Sequence, residues 1–147
     1  MRAVVTRVTE ASVTIDGKVN GKIKTGFLIL LGIHRDDTEK DAERLAEKIC
    51  NLRVFEDEGG KMNLALDAVG GELLVVSQFT LFADVKSRRP GFTEAARPDR
   101  AVPLYELFME TCRGKGFHVE HGEFGADMKV YSLNDGPVTI LFDTRNM

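Results

Sequence analysis

Two polar segments stand inside otherwise apolar stretches of the sequence. The first is Ser-Gln-Phe-Thr at residues 77–80, and the second is Asn-Asp-Gly-Pro-Val-Thr at residues 134–139. A buried hydroxyl group can be satisfied by the backbone, but a buried amide such as that of Gln78 needs partners of its own. The hydroxyl groups of Ser77 and Thr80 are also possible nucleophiles, although no His, Asp or Glu stands beside them in the sequence.

A third feature is the basic segment Lys-Ser-Arg-Arg-Pro-Gly, which contains Lys86, Arg88 and Arg89. The forked donors of arginine suit phosphate groups, so this segment could clamp a polyanion. A solubilising surface loop would have the same composition. The sequence leaves both explanations open.

His34 directly follows a strand-like apolar run, at the kind of strand end where ligands often bind. A lone histidine in a charged turn is usually solvated, and we expect the same here. Cys50 and Cys112 fall at apolar positions of helix-like segments, where no neighbour in the sequence would lower the thiol pKa. We therefore interpret both cysteines as packing residues.

His118 and His121, with Glu120 and Glu123, could suggest a metal site. In a strand, however, alternate residues share a face, so His118 and His121 would point in opposite directions. The sequence also contains no P-loop and no dinucleotide-binding glycine motif. We therefore expect neither a metal nor another cofactor.

Length and composition predict a single folded domain over residues 1–147. A net charge of −3 excludes a generally basic nucleic-acid binder, so any contact with RNA must be local. The two cysteines indicate a reducing compartment, and the N-terminal segment lacks the apolar region of a signal peptide. The longest apolar run, residues 27–33, is too short to span a bilayer. We expect a cytoplasmic protein that does not contact membranes.

The hydrophobic pattern alternates between strand-like and helix-like segments. It predicts β structure from the start, with Asp16 and Gly17 in a tight hairpin turn, and a central strand at 26–33 that is covered on both faces. Thr38 is a candidate N-cap for a first helix, with Asp41 as the reciprocal capping residue. The remaining predicted elements are a short strand at 52–57, a long buried strand at 72–82, an irregular loop at 83–98, a second helix at 99–116 with Pro103 tolerated only near its first turn, and strands at 117–121, 128–133 and 137–143.

Two helices and about eight strands, joined by hairpins and by strand-to-helix crossovers, predict an α/β fold. We expect one mixed, curved and partly barrel-like sheet with both helices packed on one side. This arrangement would place residues 77–80 on a buried strand and the basic segment in the surface loop that follows.

The two polar segments and their neighbours resemble one family closely, the D-aminoacyl-tRNA deacylases, also called D-tyrosyl-tRNA deacylases. The resemblance covers the whole chain, and it is specific because both polar segments occur intact. The matching segments are MRAVVTRVTEASVTIDG at 1–17, NLRVFEDEGGKMNLAL at 51–66, GGELLVVSQFTLFAD at 70–84, RRPGFTEAA at 88–96 and FGADMKVYSLNDGPVTILFD at 124–143.

The resemblance implies an enzyme that hydrolyses the ester bond between a D-amino acid and the terminal ribose of tRNA. It also implies a homodimer that works without metal, in which Gly136 and Pro137 form a cis pair that reaches into the partner subunit's pocket. The other residues that it implies at the site are Ser77, Gln78, Phe79 and Thr80 as the lining, Phe124 and Met128 beside the terminal adenine, and Arg7 as a residue that steadies the arrangement across subunits.

An aminoacyl ester is already activated by its neighbouring ammonium, so the enzyme needs mainly to position water and stabilise an oxyanion. We expect backbone N–H groups around Phe79 and Thr80 to do this, because the Thr80 hydroxyl has no evident base. If the carbonyls of Gly136 and Pro137 capture the ammonium, they exclude an L side chain. Glycine has only hydrogens to present, so we expect glycyl-tRNA to be hydrolysed as well.

Two alternatives stay open from the sequence. One is an esterase of another substrate class, with Ser77 or Thr80 as the nucleophile and His34 as the base. The other is a non-catalytic RNA-binding module that uses the basic segment and exposed aromatic side chains.

Overall fold

A computed structural model describes all 147 residues of the chain. It contains eight strands and two α-helices, which confirms the α/β class predicted from the sequence. The strands are β1 Arg2–Ile15, β2 Lys18–Ile23, β3 Gly26–Gly32, β4 Phe55–Glu56, β5 Met62–Leu64, β6 Glu72–Ser77, β7 Val119–His121 and β8 Lys129–Asp143; the helices are α1 Glu39–Cys50 and α2 Pro98–Gly114; short 3-10 helices span Leu66–Val69, Phe79–Phe82 and Thr144–Asn146.

The main sheet is mixed and nearly closed. Its order is β2-β1-β3-β6-β7, and β8 pairs with β1 as well. Strand β1 is antiparallel to its three neighbours, whereas β3, β6 and β7 are parallel to one another. The two ends of the sheet meet, because the side-chain amide of Asn20 in β2 donates a hydrogen bond of 2.7 Å to the carbonyl of His121 in β7. The predicted curved, partly barrel-like sheet with β3 in its middle is confirmed.

Each face of the sheet carries its own core. Phe27 and Leu28 are neighbours in β3 and point to opposite faces, as the period of two in a strand requires. Phe27 belongs to the larger core, which both helices cover with side chains such as Leu45 and Phe108. Leu28 belongs to a smaller core on the other face, with Leu74. Burial of each such side chain contributes about 1.5 to 3 kcal/mol, so the two cores fix the sheet that carries the site.

The two helices agree with the sequence to different degrees. Helix α1 begins as predicted, with Thr38 as its N-cap and a capping box to Asp41. Helix α2 begins at Pro98, so Pro103 lies in the helix interior rather than near the first turn, where the sequence placed it. The proline removes one backbone hydrogen bond, to the carbonyl of Asp99. The helix continues past this point because the turns that follow bury an apolar face against the main core.

The predicted long strand at 72–82 is wrong in its second half. Strand β6 ends at Ser77, where its parallel partner β3 also ends, and a 3-10 turn follows. The N–H of Gln78 makes the last bond to β3, of 2.8 Å to the carbonyl of Leu31. The turn then folds against Gly32, where an added Cβ would lie only 2.9 Å from the Gln78 carbonyl oxygen. The polar segment at 77–80 therefore lies at a strand end and on a turn.

The two predicted C-terminal strands are one continuous strand, β8, so Asn-Asp-Gly is not a connection between two strands. Strand β8 runs antiparallel along β1, but residues 135–138 bulge out where β1 has only Arg7 opposite. The Asn134 side chain closes this bulge, because its Oδ1 accepts the N–H of Val138 at 2.9 Å. A bulge of this kind re-aims residues without ending the strand. We call residues 135–138 the β8 bulge.

The first hairpin is as predicted. Asp16 has a φ of 49° and Gly17 a φ of 77°, so both residues of the turn between β1 and β2 adopt the left-handed region that a tight hairpin needs. Neither α-helix is both long enough and apolar enough to cross a lipid bilayer.

Candidate active site

A cleft of about 640 Å³ opens at the carboxyl ends of β3 and β6. The carboxyl ends of parallel strands are where ligands bind in open α/β sheets. Ser77, Gln78 and Phe79 form part of its lining, and Phe124 is on the cleft as well. The sequence thus predicted four residues that the fold brings to one cleft.

The 3-10 turn Phe79–Phe82, which we call the site turn, leaves two backbone donors free. Within the turn the N–H of Leu81 bonds the carbonyl of Gln78 at 3.2 Å, and at its end the N–H of Ala83 bonds the carbonyl of Thr80 at 3.1 Å. The N–H groups of Phe79 and Thr80 come before the first bonded donor and have no partner within the turn. Neighbouring unpaired N–H groups of this kind suit a developing negative charge.

The amide of Gln78 finds its partner inside the same motif, because its Nε2 donates to Oγ1 of Thr80. The Thr80 side chain is exposed and lies just outside the cleft lining. No titratable side chain makes a hydrogen bond with the hydroxyl of Thr80 or of Ser77. Both hydroxyl groups therefore lack the base that a serine or threonine nucleophile needs.

Aromatic side chains flank the free donors. The ring of Phe79 is 55% exposed, and it packs edge to face against Phe92 with 5.0 Å between centroids. Tyr105 from α2 faces Phe124 at 6.4 Å and donates 2.7 Å from its hydroxyl to the carbonyl of Val75. Burial raises the pKa of the Tyr105 phenol, so this hydroxyl stays protonated as a structural donor.

Sequence reasoning missed several residues of the cleft. Phe92 could have been found as the aromatic residue in the RRPGFTEAA segment, whereas Tyr105 looked like an ordinary core position of a helix. Arg35 and Arg97 also line the cleft, and neither forms a salt bridge. A hydrogen bond of 2.9 Å from the backbone N–H of Arg35 to the carbonyl of Glu94 joins the segment after β3 to the loop before α2.

The basic segment lies at the tip of the loop that leads to Phe92. Reciprocal backbone bonds of 2.7 and 2.9 Å between Asp84 and Gly91 close this loop. Lys86, Arg88 and Arg89 are all exposed, and none of them forms a salt bridge. They do not line the cleft, so the fold leaves three free positive charges on the loop next to it.

The sequence suggested that His34 is solvated, but the side chain is buried, with 3% exposure. Its ring packs edge to face on Phe82 at 5.2 Å, and its Nδ1 accepts the N–H of Asp36 at 3.0 Å. Burial lowers its pKa, so the ring is neutral. It makes no hydrogen bond with Ser77 or Thr80 and does not line the cleft, so the base of the alternative esterase mechanism is missing from this arrangement.

Arg7 supports the β8 bulge from inside the chain. Its buried guanidinium donates 2.9 Å from Nε to the carbonyl of Asp135 and 2.6 Å from Nη1 to the carbonyl of Val54. The Gly136–Pro137 peptide bond is cis, as the family resemblance implied. Both residues are exposed, and neither lines the cleft of its own chain.

Met128 and Phe124 pack against different cores, although the family resemblance implied that both lie beside the terminal adenine. Met128 packs against the smaller core, and an added Cβ on Gly122 would meet its sulfur at 2.4 Å. Only Phe124 of this pair lines the cleft. The structure does not bring the two side chains together as cleft lining.

The histidines near residue 120 form separate contacts. His118 Nε2 lies 3.1 Å from an oxygen of Glu120, whereas His121 contacts the carbonyl of Gly122. No three His, Cys, Asp or Glu side chains of the chain are arranged to hold a metal ion.

Comparisons with known proteins identify the family. The family model described as D-Tyr-tRNA(Tyr) deacylase matches residues 4–143. A D-aminoacyl-tRNA deacylase of Thermosipho africanus is 54% identical over 100% of this chain and 99% of its own length. The protein of the same name from Thermus aquaticus is 59% identical over 98% of this chain and 95% of its own length.

Solved structures share the fold of this chain. A structure titled c-Myc DNA Unwinding Element Binding Protein has a TM-score of 0.91 and 44% identity over 97% of this chain and 98% of its own. A probable eukaryotic D-amino acid tRNA deacylase shares the fold at a TM-score of 0.81 and 17% identity, over 96% and 97% of the two chains. The chain belongs to the D-aminoacyl-tRNA deacylase family, hydrolases that cleave the ester bond of D-aminoacyl-tRNA.

Proposed function

We propose that this chain clears both D-amino acids and glycine from tRNA, with the ester carbonyl seated against the site turn. The observation that carries the proposal is the pair of free N–H groups of Phe79 and Thr80 at the edge of a largely apolar cleft. The nearby hydroxyl groups of Ser77 and Thr80 have no base beside them that could make them nucleophiles. Such a site suits an activated ester that needs charge stabilisation more than covalent catalysis.

In this mechanism a water molecule attacks the ester carbonyl, and the oxyanion forms against the N–H groups of Phe79 and Thr80. One well-placed donor of this kind contributes about 3 to 4 kcal/mol to transition-state stabilisation. Gln78 holds the Thr80 side chain through its amide, so it acts by fixing the shape of the motif. The substrate's own 2′-hydroxyl stands on the ribose carbon next to the esterified one, and we propose that it assists proton transfer.

Chirality is read by exclusion in the proposed homodimer. The β8 bulge of one subunit enters the cleft of the other, where the carbonyls of Gly136 and Pro137 capture the α-ammonium. An L side chain would then meet the bulge, a D side chain would point outward, and glycine would pass. Two observations support this arrangement. Asp135, Gly136 and Pro137 of the bulge are exposed and do not line the cleft of their own chain. Strand β8 also exposes Tyr131 and Leu133, with 52% and 51% of each accessible in the single chain.

The proposed place for the terminal adenine is against Phe124, as the resemblance suggests, with Met128 as a support of that segment. The tRNA backbone is proposed to contact Lys86, Arg88 and Arg89, whose charges have no protein partner. Contacts of this kind should make binding fall steeply with salt. We place the reaction in the cytoplasm, which the two free thiols fit.

The decisive experiment compares the hydrolysis rates of D-tyrosyl-tRNA, L-tyrosyl-tRNA and glycyl-tRNA under identical conditions. The proposal requires cleavage of the D and glycyl esters and survival of the L ester. Cleavage of all three would replace the chiral filter with a general esterase. Survival of glycyl-tRNA at high enzyme concentration would contradict exclusion as the means of selection.

The cross-subunit arrangement has its own test. A variant that lacks one proposed oxyanion donor of the site turn, Phe79→Pro, is mixed with a variant disabled in the β8 bulge, Gly136→Ala, after reversible dissociation. Proline is tolerated at the first position of a helical turn, so the turn itself is kept. If the site combines a turn and a bulge from different subunits, mixed dimers regain one intact site and activity returns. If both parts belong to one chain, the mixture stays as inactive as its components. A covalent acyl-enzyme trapped on Ser77 or Thr80 would instead support the alternative esterase mechanism.

A further inference from the structure

Two thiols meet where the helices pack together, far from each other in the sequence. Cys50 is the last residue of α1, and Cys112 lies in the last turn of α2. Their Sγ atoms are 3.7 Å apart, and both side chains are buried, at 3% and 0% exposure. Neither thiol is in a disulfide. The fold thus pairs two cysteines that the sequence presents as unrelated packing residues.

The surroundings allow the pair to close. A disulfide needs the sulfur atoms about 2.0 Å apart, so they must approach by roughly 1.7 Å. Both cysteines lie in the last turns of their helices, where carbonyl groups lack helical partners and the backbone is least constrained. Gly114 and Gly116 lie two and four residues after Cys112, and Gly116 has a φ of 94°.

The two thiols are not equivalent. The contact with Cys112 lowers the pKa of Cys50, against the opposing effect of burial. The same contact and burial raise the pKa of Cys112. Cys50 also keeps 3% exposure whereas Cys112 is fully buried, so Cys50 is the sulfur that an oxidant reaches first and Cys112 is the one that resolves.

We propose that Cys50 and Cys112 form a modification site at which a two-electron thiol oxidant such as hydrogen peroxide closes a disulfide between α1 and α2. The Cys50 thiolate attacks one peroxide oxygen, the O–O bond breaks, and a sulfenic acid forms with release of water. The Cys112 sulfur then attacks the sulfur of that sulfenic acid, and a second water leaves. Overall the two thiols lose two electrons and two protons, and the peroxide is reduced to water.

The bond would tie the carboxyl ends of the two helices, whereas the cleft lies at the other end of α2, near Pro98 and Tyr105. The site turn is on neither helix. Closure is therefore expected to leave hydrolysis unchanged. It constrains the unfolded chain over the long segment between the cysteines, so the melting temperature should rise by roughly 5 °C or more.

The test exposes the purified protein to hydrogen peroxide, removes the oxidant and counts free thiols after denaturation. We expect both thiols to disappear together, a peptide pair linked through Cys50 and Cys112 in non-reducing mass spectrometry, a higher melting temperature, and full reversal by dithiothreitol. The variants Cys50→Ala and Cys112→Ala should fold, as circular dichroism can verify, and should show no rise in melting temperature with peroxide.

Three outcomes would overturn the proposal. Both thiols could stay titratable after prolonged oxidation, which would make them packing residues. Oxidation could stop at a sulfinic acid on one cysteine, or produce links between chains, and either result would mean that the pair does not close within the fold. None of these readouts depends on aminoacyl-tRNA hydrolysis, so failure here leaves the proposed function untouched.

Discussion

The guanidinium of Arg2 reaches from β1 to the site turn, where its Nη1 donates a hydrogen bond of 2.9 Å to the main-chain carbonyl of Leu81. Its Nε pairs with Asp143 at 3.1 Å, at the end of β8. The same group lies over the ring of Phe82, 4.7 Å from its centroid. Two of these contacts hold the turn that carries the free N–H groups, and the third anchors the guanidinium on β8.

Replacement of Arg2 should reduce catalysis without weakening binding of tRNA. In Arg2→Gln the Leu81 carbonyl loses its donor and the site turn loses its support, and a small misplacement of donors is enough to cost about tenfold or more in kcat. The measurement is kcat and KM on D-tyrosyl-tRNA. Arg2→Lys should recover part of the loss, and Arg44→Gln, at an exposed arginine outside the cleft lining, is the control. A rise of KM by about tenfold with an unchanged kcat would show instead that Arg2 acts on substrate binding.

The hydroxyl of Thr80 should be dispensable for the chemistry. Thr80→Val keeps the backbone N–H and the side-chain shape, so we expect most of the activity to remain, within about tenfold of the parent. Single-turnover hydrolysis of D-tyrosyl-tRNA measures this directly. A loss beyond about a thousandfold, roughly 4 kcal/mol, would make Thr80 a nucleophile after all.

The sequence predicted the elements better than their ends. The capping residues of α1 and the central strand β3 follow from local patterns, because caps and apolar runs are read within a few residues. The end of β6 at Ser77 could not be read that way, since it depends on where its partner β3 ends. The same holds for the β8 bulge, which exists because β1 pairs with β8 on both sides of it.

The candidate site shows the same division. Residues 77–80 and Phe124 were found from motifs, but Phe92 and Tyr105 come from other elements and join the cleft only through the tertiary fold. His34 was misjudged because its charged neighbours suggest exposure. In the folded chain, one of those neighbours supplies a hydrogen bond from its backbone and Phe82 covers the ring.

Buried His34 should make the fold sensitive to mild acid. Its folded-state pKa is below the ordinary value of 6.5, so the unfolded chain binds more protons at lower pH and stability is lost as pH falls below 6.5. We expect the free energy of unfolding in urea to decrease between about pH 7.5 and pH 5.5. In His34→Gln this decrease should be smaller. The groups that act on the ring besides burial are Arg145, which also lowers the pKa, and Asp37, Asp36 and Glu94, which raise it.

An equal slope in the parent and in His34→Gln would show that other groups set the acid sensitivity. The comparison requires that the variant folds. Circular dichroism at about pH 7.5, where histidine is neutral, can establish this.

Removal of the Arg7 guanidinium should destabilise the chain as well as the site. In Arg7→Met the carbonyls of Val54 and Asp135 lose their donors, and together this should cost about 2 to 4 kcal/mol in the free energy of unfolding. Urea unfolding measures the loss, with Arg44→Met as the matched control. An unchanged stability would mean that water replaces the guanidinium at both carbonyls and that Arg7 serves the bulge alone.

The exposed apolar side chains of β8 give the proposed homodimer its sharpest test. Tyr131 and Leu133 are two residues apart and share a face of the strand, so a second subunit that covers one should cover the other. Leu133→Asp would place a charge in that interface, and we expect a monomer by analytical ultracentrifugation with hydrolysis of D-tyrosyl-tRNA lost. Val19→Asp, at another exposed apolar residue but on β2, should leave both properties intact. A monomeric Leu133→Asp protein with full activity would show that the bulge of a partner is not needed, because the site would then be complete within one chain.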